Sequence, residues 1–357
     1  MPWNWELPDW PKFTYNSDSL GELERRFLLG VGSFCAYLKT IDQQEYKRFV
    51  VEILSSEGVE SAKIEGENLD RESLQSSIQR HFGLGTSSKK EGNKEAGMAD
   101  LLYHVYEFFD KPLTHEMLYL WHSMLFEDLG KYRTHKEPMQ IVSNRSNAPR
   151  VFFEAPPSER IFHEMERFIN WFNSKNASGS ILGRAAIAHV YFESIHPFED
   201  GNGRIGRVLV EKILSESVHR PVLIAISKML EKRKKEYYAA LEKCNRTLDV
   251  QEWVEFFASV IIEAYEESMS LLNFLIQKAK MLESLSGKIN PRQTKVLLRM
   301  FAEGPRGFKG GLSAENYITI TKVARATATR DLTDLVEKGA LIKTGELRYT
   351  RYSLNLK

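Results

Sequence analysis

His196 is the side chain best suited to accept a proton near neutral pH, because an imidazole titrates there. It opens the run His196-Pro-Phe-Glu-Asp-Gly-Asn-Gly-Arg-Ile-Gly-Arg207. Asp200 follows four residues later, and Gly201-Asn202-Gly203 comes next. Two glycines around an asparagine favour a tight turn whose backbone N–H groups converge on one spot. A helix that starts after such a turn is an anion site. Arg204 and Arg207, three apart on that helix, share a face and can reach the same anion. One carboxylate with little else around it, Asp200, suits Mg²⁺, which takes its remaining ligands from phosphates and water. Base, metal carboxylate, phosphate turn and paired arginines together describe phosphate chemistry on a nucleotide.

These groups need support on both sides. Gly183 to Ile195 carries Ala185, Ala186, Ala188, Val190 and Phe192 at helical spacing, which predicts a helix leading into His196. That helix excludes a dinucleotide fold for Gly201-x-Gly203-x-x-Gly206, since the fingerprint requires a buried strand before it. Ile205, Val208, Leu209 and Ile213 predict the helix that follows. His189 reads as a structural histidine on the supporting helix, and Phe198 as the core anchor of the loop.

With every defined position present, the run resembles the Fic family signature, His-x-Phe-x-Asp/Glu-Gly-Asn-Gly-Arg-x-x-Arg. The resemblance extends to the preceding helix, to the upstream segments Met139–Ser143 and Val151–Phe153 that read as a hairpin, and to Tyr237, Tyr238, Leu241 and Asn245 downstream. It covers about half of the chain. It implies a mainly α fold, a Fic-type helical bundle with a β-hairpin flap, and transfer of AMP from ATP to a Ser, Thr or Tyr hydroxyl of a target protein. His196 would be the base and Asp200 the Mg²⁺ ligand. Glu199, Gly201, Asn202 and Gly203 would border the phosphates, with Arg204 on the β and γ phosphates and Arg207 on the γ phosphate. Tyr237 and Asn245 would flank the adenosine, and Ile141, Val142 and Ser143 of the flap would border the nucleotide. Upstream, Ser61-Ala-Lys-Ile-Glu65-Gly66 resembles the inhibitory motif of many Fic proteins. In that reading Glu65 forms a bidentate pair with Arg207 and withholds it from ATP, within one chain or across a homodimer.

The rest of the chain sets bounds. A net charge of +1 creates no global field for nucleic acid or membrane. No apolar run is long enough to span a bilayer, and the opening lacks the regions of a signal peptide, so a cytoplasmic protein is expected. Cys35 and Cys244 are the only cysteines, which excludes a disulfide framework and cysteine-based zinc sites. Residues 1–16, with Trp3, Trp5 and Trp10 among Pro2, Pro8 and Pro11, predict an extended arm pinned by aromatics onto the helices that follow it. The opening resembles a domain of unknown function often found ahead of Fic domains. Leu20 to Phe82 is helical in pattern, Gly83 to Gly97 reads as a loop, and helix resumes at Met98. The expected domains are residues 1–97 with the inhibitory motif, 98–270 as the catalytic domain, 271–287 as a helical connector and 288–357. The last segment, three helices and a hairpin around Gly345, resembles a winged helix. DNA contact and protein contact stay equally open for it. Competing functional readings are a nucleotide-sensing DNA-binding regulator, removal of AMP from a modified protein, and phosphotransfer.

Overall fold

A computed structural model of the chain describes every residue except 40, 86–91, 127–129, 143–149, 175–178, 306 and 357. The fold is mainly α-helical. In chain order the helices are α1 (Gly21–Leu38), α2 (Gln43–Ile64), α3 (Arg71–His81), α4 (Asn93–Glu107) and α5 (His115–Leu125). The strands β1 (Gln140–Val142) and β2 (Val151–Glu154) follow, then α6 (Ser158–Asn173), α7 (Ile181–Ile195), α8 (Asn202–Val218), α9 (Ile226–Lys232) and α10 (Lys234–Cys244). The chain ends with α11 (Gln251–Ser284), α12 (Pro291–Phe301), α13 (Ala314–Thr321), α14 (Arg325–Glu337), β3 (Leu341–Thr344) and β4 (Arg351–Leu354). Two compact units result, Met1–Ser268 and Met269–Lys357.

The first unit is built around α7. This helix is apolar on all sides, so it can only be stable when surrounded, and Leu182 to Ile195 are all buried apart from Arg184. Ser180 caps its start by accepting from the Gly183 N–H. α8 packs along α7 after the short loop 196–201. The tight turn expected over residues 201–203 is shorter than its composition suggested. Gly201 takes the left-handed conformation (φ 82°) as the cap, and Asn202 and Gly203 already belong to the first turn of α8.

Two further expectations change. α4 begins at Asn93, inside the segment read as a loop, because small and polar residues there hide a helix whose Gly97 comes close to the Met124 backbone. The N-terminal arm docks onto later parts of the chain rather than the helices that follow it. Asn4 is fully buried and its side chain donates to Ser194 Oγ and to the Cys244 carbonyl. The Trp5 indole donates to the Glu154 carbonyl of β2, and the Trp10 indole donates to Glu164.

β1 and β2 form an antiparallel hairpin with Ile141 opposite Phe153. In the second unit, Val296, Leu297, Tyr317, Leu332, Leu335 and Tyr352 form the core with Phe274, Met281 and Leu285, which come from the stretch 271–287. β3 and β4 pair antiparallel from Leu341↔Leu354 to Thr344↔Arg351. Buried Asp331 ties the helices of this unit together by accepting from Arg292, Asn290 and the Tyr317 hydroxyl.

Candidate active site

The loop between α7 and α8 floors a cavity of about 860 Å³. His196 stands at its edge as the C-cap of α7, in a left-handed conformation (φ 50°) that is uncommon for a non-glycine residue. Arg133 holds it there: its Nε donates to the His196 carbonyl at 2.8 Å, and its other nitrogens donate to Pro156 O and Ser158 Oγ. Such multiple anchoring is what keeps a strained backbone in place. Burial, then the nearby Arg133 charge, pushes the His196 pKa down to about 4. The ring is therefore neutral at physiological pH and free to accept a proton.

Phe198 is fully buried and stacks on His122 at 4.4 Å. Asn202, expected on phosphate, spends its side chain on closing the loop. Its Oδ1 accepts from the Phe198 N–H at 2.9 Å, and its Nδ2 donates to the Phe198 carbonyl at 2.8 Å. At Gly203 it is instead a carboxylate that approaches the backbone of the helix start. A Cβ added there would lie 2.2 Å from Glu65 Oε1 and 3.0 Å from Arg207 Nη1. The Glu65 carboxylate thus already sits over the N-terminus of α8, where the helix attracts negative charge.

Glu65 also pairs with Arg207, with Oε1 2.8 Å from Nη1. The pair is not bidentate as expected. Ser61 takes the rest of the guanidinium, accepting from Nε on its Oγ at 2.9 Å and from Nη2 on its carbonyl at 3.0 Å. Burial alone would lower the Arg207 pKa, but the Glu65 charge and its neighbours outweigh burial and the net shift is upward. Gly66, in the left-handed conformation (φ 82°), ends α2 in a Schellman turn. Its N–H donates to the Lys63 carbonyl and that of Glu67 donates to Ala62, each at 3.0 Å.

Arg204 is buried as well. It lies 2.9 Å from Glu67, 3.5 Å from Asp200 Oδ1, and 5.0 Å above the Phe126 ring. Asp200 lines the cavity with an exposed side chain, and its Oδ1 accepts from the Gly201 N–H at 2.5 Å. Glu199 also lines the cavity and faces His135 at 3.3 Å. Among the described residues no cluster of three or more His, Cys, Asp or Glu is arranged to hold a metal. A single exposed carboxylate nevertheless fits Mg²⁺, which needs few protein ligands when phosphates supply the others.

The remaining expected residues divide. Ile141 and Val142 line the cavity from β1, while Ser143 lies outside the described residues. Tyr237 and Asn245 line it from the far side, yet both are engaged. The Tyr237 hydroxyl meets His189 Nε2 at 2.9 Å, and Asn245 Nδ2 donates to the Phe152 carbonyl of β2 at 3.0 Å. His189 is fully buried against Trp253 and its pKa falls to about 3, burial being the main cause, so it is neutral and structural. Sequence reasoning missed Arg133, Glu67, Asn4 and Glu193. Glu193 precedes His196 by one helical turn, and its Oε2 lies 3.9 Å from His196 Nδ1. Burial, then the Glu65 charge, raises its pKa to about 8. That i,i+3 relation to His196 was visible in the sequence; the other three are distant in the chain and left no local signal.

The family model described as Fic/DOC family matches residues 112–214, which include the whole loop from His196 to Arg207. Those residues are a Fic/DOC domain. A second model, a domain of unknown function (DUF4172), matches residues 3–84 ahead of the Fic domain. The chain is 28% identical over 200 residues to a protein of Drosophila mojavensis named protein adenylyltransferase Fic, covering 56% of this chain and 38% of that one. A Drosophila virilis protein of the same name is 32% identical over 126 residues, 35% of this chain and 25% of its own length. The chain therefore spans well under half of these relatives. A Fic family protein from Desulfovibrio desulfuricans G20 shares the fold with a TM-score of 0.57 at 20% identity, over 97% of this chain and 98% of that one. A Fic domain containing signaling protein from Bacteroides thetaiotaomicron VPI-5482 gives 0.52 at 20% identity, over 68% and 97%. These two structures support the mainly α fold. Among the described residues no helix is long and apolar enough to cross a membrane.

Proposed function

We propose that the chain is an ATP-dependent protein adenylyltransferase whose resting form is held inactive by Glu65. The observation that carries this reading is the grouping of a neutral His196, Asp200, the helix N-terminus at Gly203 and Glu65 around one cavity, with Arg207 behind it on Glu65 and Arg204 beside it on Glu67 and Asp200. The relatives named protein adenylyltransferase support the reaction class.

ATP is the substrate. The backbone N–H groups at the start of α8 receive phosphate oxygens, which gain charge as the reaction proceeds. Arg204 binds the β and γ phosphates and Arg207 the γ phosphate. Asp200 would hold Mg²⁺, which would neutralise phosphate charge there. His196 removes the proton from a Ser, Thr or Tyr hydroxyl of the target. The oxygen attacks the α phosphorus, the bond from that phosphorus to the bridging oxygen of the β phosphate breaks, and pyrophosphate leaves. Ile141 and Val142 are exposed on a short edge strand beside the cavity. A target segment can pair with that edge and present its hydroxyl through backbone contacts alone. In the resting form the Glu65 carboxylate occupies the phosphate position and holds Arg207.

The test uses ATP labelled separately at the α and γ phosphates, with the Glu65→Gly variant. Transfer of α label to protein, lost in Glu65→Gly/His196→Ala, is the expected result. Transfer of γ label would mark a phosphotransferase instead. No transfer of either would refute the reaction.

A further inference from the structure

Two carboxylates from the end of α2, not one, face the arginines of α8. Glu65 and Glu67 flank Gly66, and the left-handed turn at Gly66 splays them apart. Glu65 goes to Arg207 and Glu67 to Arg204, so a single capped helix end engages both guanidiniums. The Arg204 contact is a charge-assisted hydrogen bond, Nη1 donating to Glu67 Oε2 at 2.9 Å. The Arg204 side chain is 5% exposed and that of Glu67 27%. A guanidinium this buried is stabilised by an anion beside it. Asp200 approaches it only to 3.5 Å with a side chain 69% exposed, so Glu67 is the main partner. Glu67 is fixed through its own backbone, whose N–H donates to the Ala62 carbonyl at 3.0 Å. The other oxygen of its carboxylate meets Lys94 at 3.2 Å, but Lys94 is 69% exposed and water screens that pair.

We propose that Glu67 is a specificity-determining residue of this site, competing with the β and γ phosphates for Arg204 and leaving a nucleoside monophosphate unopposed. The inference rests on the proposed reading that Arg204 binds phosphates beyond the α position. Glu67 holds Nη1 of Arg204, so a nucleoside di- or triphosphate that takes this nitrogen displaces the Glu67 carboxylate. A monophosphate has no group to place there, so Glu67 costs it nothing. Glu67 therefore weights the resting site against ATP and ADP relative to AMP, independently of Glu65. It also explains why freeing Arg207 alone would leave the second guanidinium still engaged.

The experiment is calorimetric titration of the full chain with AMP, ADP and a non-hydrolysable ATP analogue, in Mg²⁺ at 0.15 M salt. Wild type is compared with Glu67→Gln, which keeps shape and removes charge, and with Glu67→Ala, which removes both. The expected result is about a tenfold gain in affinity for ADP and the triphosphate analogue in both variants, about 1.4 kcal/mol, and a change below about twofold for AMP. An equal gain for all three nucleotides, or no gain for the two polyphosphates, would overturn the proposal. Because the readout is binding, it stands apart from the reaction. A chain that transfers no AMP yet shows this pattern loses the adenylyltransferase reading and keeps Glu67. A chain that transfers AMP without the pattern loses Glu67 alone.

Discussion

Glu65→Gly removes a carboxylate from a guanidinium whose side chain is 0% exposed. Deleting one partner of a buried ion pair costs roughly 3–5 kcal/mol, because the remaining charge is stranded. Three features reduce that figure here. Glu65 itself is 29% exposed. Ser61 keeps its two hydrogen bonds to Arg207. Glu193, whose pKa is raised to about 8 by burial and then by Glu65, ionises more readily once Glu65 is gone and restores negative charge near Arg207. About 1–3 kcal/mol remains, with glycine adding up to about 1 kcal/mol of backbone entropy at the helix end. The apo variant should therefore melt roughly 3–8 °C below wild type. In the proposed function ATP displaces the same interaction, so affinity for a triphosphate analogue and the rate of α-label transfer should each rise about 10- to 100-fold. The analogue should recover more melting temperature in the variant than in wild type, since it supplies the missing anion. Glu65→Ala separates the carboxylate from the glycine effect. Scanning fluorimetry with and without analogue, together with a transfer assay, makes the measurement. Unchanged apo melting combined with wild-type transfer would show that the Glu65–Arg207 pair restrains nothing.

The other expectations concern the turn and the base. Gly66→Ala meets no atom within 4 Å but must hold a φ of 82°, which costs about 1–2 kcal/mol for a residue with a Cβ. The turn should relax, shift both carboxylates, and give α-label transfer above wild type and below Glu65→Gly; transfer identical to wild type would separate the turn from the restraint. His196 carries a depressed pKa of about 4, from burial and then the Arg133 charge, so lowering pH leaves it neutral until about that value. Glu65→Gly removes one of the charges that raise this pKa, so the variant should retain more than half of its pH 7.5 transfer rate at pH 5.5. An unperturbed imidazole would retain roughly a tenth, and a fall of that size would refute a buried base.

The signature run of the candidate site was legible in the sequence because it is local. His196, Asp200, Arg204 and Arg207 lie within twelve residues on a helix end, a loop and a helix start, so local spacing records that they are neighbours. The helical character of α7 was equally legible, since its apolar period needs no partner to be recognised. The hairpin followed from two β-rich runs around a turn. Tertiary structure decided which of these groups are free. Asn202 has the right type for phosphate, but its loop folds back so that both ends of its amide meet Phe198. Tyr237 is beside the cavity, yet its hydroxyl belongs to a histidine on another helix. Arg133 reaches the His196 carbonyl across 63 residues, and Ser61 reaches Arg207 across 146. Glu67 meets Arg204 across 137 residues through a turn set by one glycine, and nothing in its neighbours distinguishes it from any surface glutamate. Periodicity and spacing record what the chain does within a few residues of itself. A partner supplied by a distant helix leaves no such record, because it is chosen by packing among elements whose order in space the local pattern does not contain.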